Sequence, residues 1–144
     1  MRYGLLLMLV PLVGFAASDE ADAIAVVEKT FQGMAAHDGD MIRATMLPDA
    51  RLYGSRDGSV PTGRSVEEFV KGIVAAKMEI AERFTAHPQV SVRGNLAQVW
   101  GEYEFLREGK VGHCGVDSAS LFKGPDGWKI ATITYTMETT GCKK

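Results

Sequence analysis

The apolar positions of this chain change spacing part-way along it. From Asp19 to His37, the residues Ile24, Val27, Phe31, Met34 and Ala35 recur on one helical face. Asp19, Glu20 and Asp22 occupy the first turn, where carboxylates suit the helix dipole. This predicts a first helix, broken by His37-Asp38-Gly39-Asp40. Met41 to Met46 reads as a short second helix stopped before Pro48, Arg51 to Tyr53 as a strand, and Gly54 to Gly58 as a turn. Ser65-Val66-Glu67-Glu68 is a capping box, in which serine hydroxyl and glutamate carboxylate satisfy reciprocal backbone amides. Behind it Val66, Phe69, Ile73, Ala76 and Ile80 form an apolar stripe, with Glu67, Lys71, Lys77 and Glu82 toward water. This third helix is expected to end within Arg83 to Pro88.

Beyond Pro88 the period becomes two. Val90-Ser91-Val92 leads to Gly94-Asn95, and Leu96 to Leu106 then alternates, with Ala97, Val99, Tyr103 and Phe105 on one face and Gln98, Glu102 and Glu104 on the other. Glu108-Gly109-Lys110 turns, GHCGVDSASLF runs back, Gly124 to Gly127 turns again, and Trp128 to Met137 is a last strand rich in Thr, Ile and Tyr. Helices followed by an antiparallel meander predict an α+β domain, with the N-terminal helices packed on one face of a strongly curved antiparallel sheet.

Composition bounds the partners. The 144 residues, 46% of them apolar, suit one domain with a real core. A net charge of −2 without a basic cluster argues against nucleic acid. Arg2 followed by the apolar run Leu5 to Phe15 and the small residues of GFAAS reads as a signal peptide over residues 1–18, cleaved after Ala16 or Ser18. The run is shorter than the ~20 residues that cross a bilayer, so no membrane span is expected after cleavage. A secreted or periplasmic domain over residues 19–144 follows. In that oxidising setting Cys114 and Cys142 are candidates for a disulfide, with a buried core residue and a reactive thiol as the other readings of Cys114. No Cys/His cluster has metal-ligand spacing, so neither metal nor cofactor is expected.

Three helices followed by long antiparallel strands resemble the nuclear-transport-factor-two-like superfamily, also called SnoaL-like or ketosteroid-isomerase-like. NLAQVWGEYEF, GHCGVDSASL, DGWKIATITYT and the terminal TGC are similar to the group labelled "putative lumazine-binding". The resemblance covers almost the whole mature chain. It implies a cone-like sheet wrapped around the helices, a pocket opening into the cone, and a homodimer through the outer sheet face. Characterised relatives include isomerases and dehydratases, and many others bind ligands without catalysis. The tyrosine and two acids of the steroid isomerases have no residue-by-residue match here; His37-Asp38 matches acidic residues of relatives by position alone.

Strand alternation puts His113, Gly115, Asp117, Ala119 and Leu121 on one face and Cys114, Val116, Ser118 and Phe122 on the other. Leu121 favours the first set as the inward one, while Val116 and Phe122 keep the opposite choice open. With the first set inward, His113 and Asp117 stand roughly 13 Å apart along an extended strand, too far to bond directly but able to touch one ligand, with Tyr103 beside them. Histidine titrates near neutrality, and a carboxyl in an apolar cone stays protonated and donates to a carbonyl. His113 and Asp117 are thus the candidate acid or base, while Phe31, Tyr103, His113, Asp117, Thr134 and Thr136 are candidate ligand contacts. Thr132, Thr134 and Thr136 follow Trp128 and Ile130 in phase, although strand propensity alone accounts for a threonine run. Trp100 falls on the outer face as a candidate dimer contact.

The leading reading is a secreted binder of a small apolar or aromatic ligand. An isomerase or dehydratase using His113 or Asp117 on a carbonyl-bearing cyclic substrate is the second. An interaction module using the outer sheet face is the third.

Overall fold

The computed structural model describes residues 18–142; the stretch read above as a signal peptide lies, apart from Ser18, outside the described residues. Three helices, α1 (Asp19–Ala35), α2 (Gly39–Thr45) and α3 (Val66–Ala75), pack against a seven-stranded sheet. The strands are β1 (Met46–Arg56), β2 (Thr62–Ser65), β3 (Ile80–Phe84), β4 (Gln89–Arg93), β5 (Leu96–Arg107), β6 (Lys110–Gly124) and β7 (Gly127–Met137). Their order is β2-β1-β7-β6-β5-β3, with β4 also on β5, so the sheet curls without closing. It is the expected α+β cone. One pairing departs from the meander: β1 runs parallel to β7, which makes the sheet mixed.

Local chemistry sets the helix starts. Ser18 caps α1 by accepting from the Ala21 amide, Asp38 caps α2 by accepting from Met41, and the capping box at Ser65 and Glu68 is complete. The apolar face of α1, including Ile24, Val27, Phe31 and Met34, is buried in the concave side of the sheet beside Val99, Leu121 and Ile130. Among the described residues no helix is long and apolar enough to cross a membrane.

Three corrections concern the elements. The third helix stops at Ala75, and Ile80 to Phe84 is not its last turn but strand β3, paired antiparallel to Tyr103–Arg107 of β5. The free edge of β5 needs partners for its amides and carbonyls, and five residues can supply them only when extended. Gly54, Ser55 and Arg56 continue β1 instead of turning, all three paired with β7 and Gly54 also with Thr62 of β2. Finally, β7 carries a bulge. Ser120 pairs with Thr132 but Leu121 pairs with Ile130, so Ala131 is an extra residue and the alternation inverts there. Trp128 and Ile130 face the core, and beyond the bulge Ile133 and not Thr134 takes over the inward side.

At Gly115, β6 and β7 approach closely. A Cβ there would stand 2.2 Å from the Thr136 carbonyl oxygen. That carbonyl accepts a 2.7 Å hydrogen bond from the Tyr103 hydroxyl, and the Val116 amide donates to the Thr136 hydroxyl. One step further, Cys114 bridges to Glu138, and Gly141, at φ 80°, turns the tail back. Cys114 and Cys142 are thereby joined in a disulfide with a Cα–Cα separation of 5.7 Å.

Two outcomes test this account. Gly115→Ala is expected to destabilise the fold by about 1–3 kcal/mol, since backbone must move to admit the methyl. Gly124→Ala, which meets nothing within 4 Å, is expected to be close to neutral in the same urea titration. Replacing both cysteines by serine is expected to remove roughly 2–4 kcal/mol through the unfolded chain, and equal urea midpoints for the two forms would refute it.

Candidate functional site

Beyond the packed core the open end of the cone holds a hollow of about 180 Å³. Its walls come from Phe31 and Met34 of α1, Leu52 of β1, Phe69 and Ile73 of α3, and Ile133 of β7. Strand alternation supplies the polar groups. Tyr103 and Phe105 of β5 face inward with His113 and Asp117 of β6, and Tyr135 of β7 lies across Gly54, where a Cβ would overlap its ring.

The floor carries two carboxyls. Asp117 is 5% exposed and Glu82 reaches it from β3. Glu82 is half-buried and lines the hollow. Burial pushes the Asp117 carboxyl up to about 7, a rise that its hydrogen bond with Glu82 partly offsets. Burial, then the charge of Asp117, then the same hydrogen bond hold the Glu82 carboxyl well above the usual range. Two carboxyls sharing one dry site cannot both ionise cheaply, so near neutrality the pair keeps at least one proton between them.

His113 stacks on Phe105, ring centroids 4.7 Å apart and planes 10° from parallel, and meets Tyr103 edge-on at 5.8 Å. Burial, followed by the charges of Arg56 and Arg107, lowers its pKa to about 4, so the ring is neutral at physiological pH. The Tyr103 hydroxyl proton is committed to the Thr136 carbonyl, which leaves its oxygen as an acceptor toward the hollow.

The candidates named from sequence divide accordingly. Phe31, Tyr103, His113 and Asp117 line one hollow. Thr134 and Thr136 do not; the bulge at Ala131 turns both side chains to the outer face, beside Trp100 and Tyr53. His37 is also elsewhere: its Nδ1 pairs with the Ile73 carbonyl at 3.0 Å. Glu82 was missed because a helical phase turns it toward water, whereas strand alternation with Ile80 and Phe84 turns it inward. Arg107, two residues past Phe105 in the same strand, was legible from alternation and overlooked; Arg56 required the pairing of β1 with β7, and Arg64 that of β1 with β2.

Residues 18–136 match the family model described as "Putative lumazine-binding". The chain belongs to that family. No curated protein matches it. Solved structures that resemble this member of the family share its fold at low identity. A nuclear transport factor 2 (NTF2-like) superfamily protein from Salmonella enterica superposes with a TM-score of 0.68 at 15% identity, over 88% of this chain and 96% of that one. A "putative dehydratase" from the NTF2-like family of Streptomyces avermitilis gives 0.66 at 20% identity, over 83% and 95%. A "putative aromatic ring hydroxylase" from Novosphingobium aromaticivorans gives 0.67 at 20% identity, over 86% and 90%. At such identities the likeness establishes the NTF2-like fold alone, and membership of the family suggests binding of a small ligand.

The buried acids make stability depend on pH with a definite sign. Asp117 has its folded pKa raised from 3.8 to about 7, so its advantage is whole below about pH 4 and is lost as pH rises through 7. Glu82, raised further, continues the loss at higher pH. His113, lowered from 6.5 to about 4, contributes fully above 6.5 and loses that contribution as pH falls toward 4. Between pH 6.5 and 8 only the acids act. The wild-type melting temperature is expected to fall across that window and the E82Q/D117N variant to flatten the slope; parallel slopes would refute the buried pair.

Proposed function

We propose that this member of the family is a secreted or periplasmic small-ligand-binding protein. Its hollow holds one ring between the aromatic and aliphatic walls and presents a protonated carboxyl to a carbonyl acceptor on that ring. The observation that carries the reading is the Glu82–Asp117 pair at the floor of a cavity with aromatic and aliphatic walls. A neutral carboxylic acid in a dry site is a strong hydrogen-bond donor, and its desolvation has been met in the folding of the protein itself. The volume supports a small ligand, since a hollow of ~150 Å³ suffices for benzene. The disulfide supports an oxidising compartment. The exposed Trp100, Tyr53 and Phe122 support a homodimer.

One observation favours a second reading, an isomerase or dehydratase working on a carbonyl-bearing cyclic substrate. The Glu82–Asp117 pair, sharing a proton near neutrality beside a neutral His113, has the proton affinity of a general base that takes a proton and returns it. The binder remains first because Tyr103 spends its proton on the Thr136 carbonyl and so does not donate it to a substrate oxygen.

Native mass spectrometry of protein purified from the periplasm of its source tests the first reading: a retained small molecule, lost from the D117N variant, is expected. A retained molecule held equally by wild type, D117N and H113A would overturn the site assignment. Exchange of the α-protons of cyclohexanone in D₂O separates the two readings. Catalysed exchange that D117N abolishes means an enzyme, whereas exchange at the buffer rate leaves the binder.

A further inference from the structure

The rim of the hollow is made of arginines. The inward phase of β1 runs Ala50, Leu52, Gly54 and on to Arg56, and that of β5 runs Tyr103, Phe105 and on to Arg107. Arg64 of β2 is directly opposite Leu52 and therefore shares its concave face. All three line the hollow. None enters an ion pair among the described residues, where the salt bridges belong to Arg43, Arg83 and Lys123.

The carboxylates near these guanidiniums are engaged elsewhere: that of Asp57, near Arg56, accepts from the Thr139 amide and hydroxyl, each at 2.9 Å. The Arg56 Nη2 lies 3.7 Å from the Met137 sulfur, and the Arg107 guanidinium stands 5.9 Å from the centre of the Phe105 ring. The carboxylate near Arg64 is that of Glu68, already taken by the Ser65 amide at 2.7 Å and the Ser65 hydroxyl at 2.9 Å. Three fixed positive charges thus overlook a floor bearing at most one negative charge, with a neutral imidazole and two neutral phenols between them. Cations that converge on one concave rim attract an anion, and the planar guanidinium fork matches a carboxylate in shape.

We infer that the ligand is a small cyclic monocarboxylate, its carboxylate held at the rim by Arg56, Arg64 and Arg107 and a neutral carbonyl at its far end turned to Glu82 and Asp117. This names the ligand class of the pocket proposed above and rests on that reading. The two ends of the site impose opposite demands. The floor rejects a second anion, because one more charge beside the acids would be buried uncompensated; the rim leaves its own charge unmet by a neutral ligand. A ring of one cycle spans the distance that a hollow of about 180 Å³ allows.

Calorimetric titration of the oxidised protein with three para-substituted benzenes separates the two claims. 4-Acetylbenzoate carries both groups, 4-acetylbenzamide lacks the charge, and 4-ethylbenzoate lacks the carbonyl. 4-Acetylbenzoate is expected to bind at least about tenfold more tightly than the amide, or ~1.4 kcal/mol, with the gap closing in the R56Q/R107Q variant. Those side chains are exposed, so the variant is expected to melt as the wild type does. Equal affinity for acid and amide, or a preference that survives R56Q/R107Q, would overturn the rim assignment while leaving the pocket. Equal affinity for the acetyl and ethyl compounds would overturn the donor floor instead. Binding of none of the three would remove both.

Discussion

Where β6 passes β7 at Gly115, the space between the strands is less than a methyl group needs. The contact ends the regular ladder, because Val116 bonds a threonine hydroxyl in place of a carbonyl, and the freed carbonyl of Thr136 is taken by Tyr103 from the neighbouring strand. Three strands are thus tied at one point near the open end of the cone. Above that tie His113 and Phe105 stack and the hollow begins; outside it Cys114 is brought to the returning tail. With the Cys114–Glu138 bridge and the disulfide beside it, the tie sets the spacing of the strands that carry the rim.

The interior thus combines two environments that ordinarily exclude one another. Helix α1 packs against Val99, Leu121 and Ile130 as in any α/β core. A few residues further along the same strands, the alternation carries Asp117, Tyr103 and His113 into an apolar-walled cavity. Burial drives all three toward their neutral forms, raising the acids and the phenol and lowering the imidazole. The cavity is consequently polar without being strongly charged at its floor, and its charge is displaced outward to the arginines at the strand ends.

How far this could be read beforehand depends on whether each feature is local. The capping box at Ser65, the inward phase of His113 and Asp117, and the outward Trp100 rest on spacing within one element, and the sequence shows spacing directly. Glu82 depends on something non-local. Ile80 to Phe84 fits a helical stripe and a strand equally well, and the unpaired edge of β5 decides between them. Thr134 and Thr136 failed for a related reason: a single unpaired residue at Ala131 inverts every side chain after it, and no composition signal marks an alanine as the bulged position. The parallel pairing of β1 with β7 is likewise invisible to any pattern within either strand.

The inversion at Ala131 also divides the labour of β7. Trp128 and Ile130, before it, serve the closed base of the cone; Ile133, Tyr135 and Met137, after it, serve the ligand end. The strand is therefore two half-surfaces spliced out of phase, and exchanging side chains in the second half retunes the cavity without disturbing how the first half seals the base. In a scaffold whose relatives bear such different descriptions, a seam of this kind lets specificity drift while the fold stands still.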